Sequence, residues 1–378
     1  MLENHRLERI ETIKSQDRFS RFVGRNAHGK PKAFGAGNQI RVLTTDQGAR
    51  GWAASAAPEE SLRSLIGHKI SDLFALETGT RDLALGIDQP LYDLVGRILE
   101  KPVYQLMGCK GSQNVPIYSS SIYFDDLEPE ENPGGLSNIV ASCQQDYDAG
   151  YRAIKLKIGR GLKWMNPDEG LQADINAVRI VREHFPDCLI LVDANDAYTV
   201  DTFIEFLDGI KDCDLYWIEE PFVENETDLK RLKEHMAHMG CKAIIAEGEG
   251  RTAGADPPGA YGGYTLEHID TLYDLASKKL IDALVIDLNI VGFTRWRHIM
   301  PDLIRAGIPV SPHTWCWCVR PFYVSQLAAG LGNIICIEGI PGNSSALDYS
   351  NYSIVEGRVH VPNLPGFAMP LKEPAMSK

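Results

Sequence analysis

From about Pro116 onward the chain repeats one unit, a short β-branched or apolar run that ends in a polar residue and is followed by a helix-like stretch. The runs are VPIYSSS, RAIKLKIG, CLILVDAN, LYWIEEP, KAIIAEGE, IDALVIDLN, GIPVSPH and NIICIEG, eight in all. Between them, ADINAVRIVREHF, VDTFIEFLDGI, ETDLKRLKEHMAHMG, LYDLASKKL and RWRHIMPDLIRAG place apolar residues at three- and four-residue steps, the spacing of a helix with one buried face. Parallel strands alternating with helices at this spacing predict a βα barrel. A doubly wound sheet fits less well, because no nucleotide-binding glycine fingerprint follows the first strand. GRGLKW, after the second run, contains a GxG but lacks the third Gly, so a phosphate loop gains little support from it.

The first 115 residues read differently. NQIRVLTTDQGARGWAA alternates around a DQG turn like a hairpin, and TRDLALGIDQPLYDLVGRILEKPVYQLMG then takes helical periodicity. Pro90 inside that pattern predicts a kink or a new helix start, and Pro102 marks its end. The expected organisation is a separate α+β domain over 1–115, a barrel over 116–340, and a Pro- and Gly-rich segment over 341–378 that returns to the N-terminal domain. GADPPGAYGGYT, at 254–265, is the longest irregular insert in the barrel and is read as a lid, since loops after barrel strands sit at the catalytic end.

Charge narrows the partners. A formal charge of −13 opposes nucleic acid or an anionic membrane as partner, because both reward a basic face. No apolar run is long enough to span a bilayer, and MLENHRLERIETIKSQDRF has neither the apolar core nor the cleavage site of a secretory signal, so a cytoplasmic protein is expected. Eight scattered cysteines without a CxxC pair read as reduced thiols. Cys316 and Cys318 would share a face on a strand, but as a lone pair they are read as packing rather than a zinc site.

A βα barrel builds its active site from residues at the C-terminal ends of its strands. Here those ends carry Lys155 and Lys157, Asp193 and Asn195, Glu219 and Glu220, Glu247 and Glu249, Asp287, His313 and Glu338. A polar strand-end residue taken singly is more often a cap or a solvated position than a catalyst. Together they bring an acid cluster, two ammoniums and an imidazole to one mouth. Carboxylates ending three consecutive strands form an all-oxygen set suited to Mg²⁺, drawn from Asp193 and one residue of each Glu pair. Adjacent Glu219 and Glu220 should face opposite ways, whereas Glu247 and Glu249 should share a face, which leaves the ligand from that pair open. Lys155 and Lys157 point the same way into the mouth, and their mutual repulsion predicts a lowered pKa that suits one of them to act as a base. His313, with Asp287 on the adjacent strand to orient it, forms a second candidate acid/base dyad.

The segments IDQPLYDLVGRILEKPVYQLMG, IKLKIG, VDAND, WIEEP, IAEGE, VIDLNIVGFTRW, VSPHTW and CIEG resemble, in this order, the mandelate racemase branch of the enolase superfamily over nearly the whole chain. That resemblance implies an α+β capping domain over a (β/α)₇β barrel, with Mg²⁺ held by Asp193, Glu219 and Glu249. It implies Lys157 as a base on one face of the substrate and the His313/Asp287 dyad on the other. Lys155 would contact the substrate carboxylate, a protonated Glu338 would hydrogen-bond it as charge develops, and Asn195 would touch a metal ligand or substrate. DLNIVGFTRW departs from the pattern, with one Gly and one residue fewer than the usual double-Gly turn. The implied chemistry is removal of the proton next to a carboxylate, with dehydration of an acid sugar first and α-hydroxy-acid racemisation or epimerisation second. A catalytically silent binder of small acids is the reading outside enzymology. Substrate selection is expected from cap loops within 17–35, and a symmetric homo-oligomer is expected.

Overall fold

A computed structural model describes residues 1–249 and 266–372. Its centre is a parallel barrel whose staves are Asn114–Ile122, Ala153–Lys157, Leu189–Asp193, Leu215–Glu219, Ile244–Glu247, Ala283–Leu284, a single bridge at Val310, and Ile337–Gly339. Closure is direct: Val310 bridges both Leu284 and Ile334, and Ile337–Gly339 pairs with Ile117, Tyr118 and Ser119 of the first stave. The α/β barrel expected from the eight runs is present.

Alternation along each stave separates two cores. Ile154, Leu156, Ile190, Val192, Ile218 and Ile245 point outward into the main core beneath the helices. Tyr118, Ala153, Leu191, Trp217, Ala246 and Ala283 point inward and fill the barrel. Lys155 and Lys157 continue the inward phase of Ala153, and register places Lys157, Asp193 and Glu219 side by side on three neighbouring strands. A one-residue slip of any of these strands would turn its charge into the apolar helix layer.

The N-terminal region forms an antiparallel sheet of Leu7–Val23, Ala33–Thr45 and Arg50–Ala54, with Gly342–Ser344 from the tail added to its other edge. Of the range 17–35 in which cap loops are expected, the long first strand takes up the beginning, and the loop is the segment between Val23 and Ala33. The strand's alternation is concealed because the buried face carries polar Ser15 and Asp17 as well as Phe19. The helix Asp88–Ile98 packs on this sheet so closely that a Cβ on Gly51 would lie 2.3 Å from Leu94 Cα. Pro90 sits in its first turn, where a missing N–H costs nothing, so the Pro marks a helix start rather than a kink. Asp93 on this helix accepts hydrogen bonds from Trp52 N (2.9 Å), Phe367 N (2.7 Å) and Arg97 Nε (2.6 Å), tying hairpin, helix and tail together. The rest of the tail is more ordered than its composition suggested, since Ser353–Val355 and Arg358–His360 pair as a hairpin on the first barrel stave.

The shortened turn after Asp287 is resolved by one short helix, Leu288–Val291, and by Gly292 at φ +87°, which starts the helix Phe293–Ala306. The cap of that helix comes from the N-terminal region. Asp88 accepts from Thr294 N and Thr294 Oγ1, both at 2.7 Å. Cys316 and Cys318 lie in a loop rather than on a strand, with Cys316 exposed at φ +90° and Cys318 buried, so they do not share a face. All eight cysteines are free, and among the described residues no helix is long and apolar enough to cross a membrane. The lid expected at 254–265 falls outside the described residues.

Asp88→Ala would strand the Thr294 N–H donor at a buried domain seam, a loss of about 1–3 kcal/mol. Denaturant unfolding should show this loss, while Asp88→Asn, which keeps an acceptor, should recover part of it.

Candidate active site

Both lysines reach the barrel mouth fully buried. Lys155 Nζ lies 2.7 Å from Glu219 Oε1, 3.0 Å from Asp193 Oδ2 and 3.3 Å from Glu338 Oε1. Lys157 Nζ donates to Asp193 Oδ2 at 2.5 Å and to Asn195 Oδ1 at 2.8 Å. The lowered lysine pKa expected from like-charge repulsion does not arise. Burial does push each ammonium toward neutrality, but Asp193 and Glu219 beside Lys155, and Asp193 and Glu249 beside Lys157, hold both above the usual lysine range.

The carboxylates show the reciprocal effect. Burial would raise Asp193, yet the two lysines hold it well below the usual range. Glu219 is pushed up to about 8, first by burial and then by Asp193, Glu249 and Glu338, against the pull of Lys155. More negative charge is gathered here than the lysines balance.

One oxygen each from Asp193, Glu219 and Glu249 lies within 4.8 Å of the other two. Glu219 enters this group from the strand end, its Oε2 accepting from Trp217 Nε1 at 2.9 Å. Glu220, at φ +42°, turns away and accepts from Glu249 N at 3.2 Å. The shared face expected for Glu247 and Glu249 is not observed. Gly248 at φ +106° breaks the strand between them, sending Glu249 to the triad and Glu247 to a separate group with Asp196 and Glu224.

Across the mouth, His313 Nδ1 donates to Asp287 Oδ2 at 2.8 Å, and its Nε2 lies 3.2 Å from Glu249 Oε1 and 3.8 Å from Glu338 Oε2. Burial disfavours the imidazolium, but Glu249, Glu338 and Asp287 outweigh it and push His313 up to about 10. Glu338 accepts from Thr314 N at 2.5 Å, besides its contact with Lys155. Burial alone would raise its pKa; Lys155, His313 and the Thr314 amide lower it below the ordinary value. These partners favour the carboxylate form of Glu338, whereas the resemblance implied a protonated acid.

Asn195, at φ +45°, joins the N-terminal region to the barrel mouth. Its Oδ1 accepts from Asn26 Nδ2 at 3.1 Å as well as from Lys157, its backbone carbonyl accepts from His28 Nε2 at 2.6 Å, and its Nδ2 donates to Glu249 Oε2 at 3.4 Å. The Tyr123 ring, stacked 5.0 Å from Trp315, faces Lys157 Nζ at 5.5 Å. Sequence reasoning missed Asn26, His28, Tyr123 and Thr314. Only Thr314, next to His313, carried a local signal.

The family described as enolase C-terminal domain-like matches residues 138–250. A solved galacturonate dehydratase from Geobacillus sp., complexed with D-galacturonate and 5-keto-4-deoxy-D-galacturonate, is 30% identical with a TM-score of 0.87 over 98% of this chain and 96% of its own. A mandelate racemase/muconate lactonizing protein from Geobacillus sp. Y412MC10, complexed with magnesium/tartrate, is also 30% identical, with a TM-score of 0.87 over 98% and 94%. The chain belongs to the mandelate racemase branch of the enolase superfamily. Among curated relatives, the 3,6-anhydro-alpha-L-galactonate cycloisomerase of Streptomyces coelicolor is 29% identical over 287 residues, 70% of this chain and 69% of that one.

Within that superfamily, the donor set here fits a hard divalent cation. Three carboxylates are buried together, their surplus negative charge visible in Glu219, and all offer oxygen. Glu219→Gln should weaken Mg²⁺ binding more than Glu220→Gln, the latter by the roughly 10- to 100-fold typical of a group that orients ligands. Glu249→Gln should likewise exceed Glu247→Gln. Calorimetric titration of Mg²⁺ decides both, and a reversed order in either pair would contradict the assignment.

Proposed function

We propose that this protein is a Mg²⁺-dependent acid-sugar dehydratase, acting on a small polyhydroxylated carboxylate. The observation that carries the proposal is the pairing of two different acid/base groups with one carboxylate triad. Lys157 borders it at Asp193, and the His313/Asp287 dyad borders it at Glu249. Asp193, Glu219 and Glu249 would hold the metal. Bound there, Mg²⁺ supplies Lewis-acid stabilisation to a substrate carboxylate and offsets the negative field that keeps the lysines charged.

The residues themselves divide the remaining work. Lys155 and Glu338, in mutual contact, meet the substrate carboxylate, with the ammonium stabilising charge that develops on its oxygens. Lys157 Nζ takes or returns the α-proton on one face, and His313 Nε2 serves the other. An imidazolium held by Asp287 is also suited to protonate a departing β-hydroxyl, so that the C–O bond breaks, water leaves, and the resulting enol becomes a 2-keto-3-deoxy acid. Asn195, bonded to Lys157 and to Glu249, orients base and ligand together. Because two bases are present, α-epimerisation is the second reading. Substrate identity within the class would follow the residues of the 24–32 loop, including Asn26 and His28.

Aldonic, aldaric and uronic acids incubated with the enzyme and Mg²⁺ should yield a keto-deoxy acid from at least one member; uronic acids earn their place through the galacturonate dehydratase similarity. Chelation should abolish turnover and Mg²⁺ restore it. Recovery of only the α-epimer would replace dehydratase by epimerase, and full activity in metal-stripped protein would overturn the site. His313→Asn should stop dehydration of a substrate whose α-proton faces the imidazole, while Lys157 still exchanges the α-proton of the opposite epimer with solvent deuterium. Lys157→Ala should show the converse. NMR of both epimers decides, and wild-type behaviour of His313→Asn would make His313 structural.

A further inference from the structure

Behind the dyad lies a buried guanidinium that the chemistry above leaves without a role. Arg320 opens the helix Arg320–Leu331, seven positions after His313, and is 8% exposed. Its Nη1 lies 3.9 Å from Asp287 Oδ2, the same oxygen that accepts from His313 Nδ1. The connecting loop holds it in place. Nη1 donates to the Trp315 carbonyl at 2.6 Å, the guanidinium stacks 4.1 Å from the Trp317 ring, and Arg320 N donates to the Trp317 carbonyl at 3.0 Å. Cys316 at φ +90° lets the loop fold back in this way. Trp315 in turn packs between Phe19 of the N-terminal sheet and Tyr123, just past the end of the first stave, so the loop that presents His313 is held by Phe19, Tyr123 and Arg320.

A carboxylate that orients an imidazole has to be oriented itself, and an ion pair in a buried setting does so strongly. We propose that Arg320 is a positioning residue for the His313 side of the reaction: it holds Asp287 from behind and thereby fixes the His313 imidazole. Lys157, on the second stave, donates instead to Asp193 and Asn195. The consequence is asymmetric control of the two faces of the substrate. This inference rests on the two-base reading above, and it adds the residue on which one of the two depends.

Arg320 also borders a cavity of about 420 Å³ between the barrel and the N-terminal domain, walled by Ala54, Ala57, Leu288 and Trp317, so a different side chain at 320 has room. Arg320→Met removes the charge at similar length, and Arg320→Lys keeps the charge without the planar fork. In the Mg²⁺-loaded enzyme, Arg320→Met should lower deuterium exchange at the His313-facing α-proton by roughly 10- to 100-fold and leave Lys157-facing exchange within about twofold, as for loss of an orienting partner. Arg320→Lys should recover part of the loss. Equal loss on both faces would mean that Arg320 only secures the helix, and no loss on either would remove its role. A second readout needs no substrate: the downfield imidazole Nδ1 proton, assigned by its disappearance in His313→Asn, should shift or broaden in Arg320→Met, and an unchanged signal would overturn the proposal. If the wild type exchanges no proton with any acid, the functional reading fails, and the imidazole signal still decides the role of Arg320.

Discussion

An uncompensated charge buried in a protein costs several kcal/mol, and the mouth of this barrel buries many at once. Asp193, Glu219, Glu249 and Glu338 are each no more than 6% exposed, beside Lys155 at 1% and Lys157 at 6%. Four carboxylates meet two ammoniums and one imidazolium, which leaves net negative charge even when every pair is made. The upward pKa shifts of Glu219, Lys155, Lys157 and His313 express that excess. A divalent cation is the natural complement. The same constraint governs the fold around the site, because the charges tolerate burial only while strand register keeps Lys157, Asp193 and Glu219 in one row.

The barrel was legible because its staves are apolar runs of even spacing and most of its helices are amphipathic. Exceptions have physical causes. The helix Arg320–Leu331 is buried along its whole length, so it lacks a polar face and leaves no periodic signal. The strand Leu7–Val23 hides its alternation by burying Ser15 and Asp17. The seventh stave shrinks to a bridge at Val310, yet its run still ends at His313. In the site, residue types and order pointed to the mouth, but backbone detail decided orientation. Strand phase does not extend to Glu220, which lies past the strand end at φ +42°, nor to Glu249, because Gly248 leaves the β region. Lysine repulsion was judged without knowing how many carboxylates would converge on the pair. Asn26 and His28 came from another domain, and no spacing rule connects them to Asn195.

That last connection ties the N-terminal region to the barrel mouth by hydrogen bonds. Through Asn195, the 24–32 loop bonds to a residue that also holds Lys157 and Glu249, so loop position and base position are coupled by hydrogen bonds. On the other side, Asp88 caps the helix that follows Asp287, and Phe19 backs the loop that carries His313. Both sides of the mouth, at Lys157 and at His313, are thus backed by contacts from the first hundred residues.

The central claim, that the ammonium-balanced carboxylates form a divalent-cation seat, has a direct test in diffraction from crystals soaked with Mn²⁺ as an anomalous stand-in for Mg²⁺. The account predicts one peak among the oxygens of Asp193, Glu219 and Glu249, with Lys155 and Lys157 displaced from those they now hold. A peak at Asp196, Glu224 and Glu247 instead, or none at the predicted triad, would contradict it.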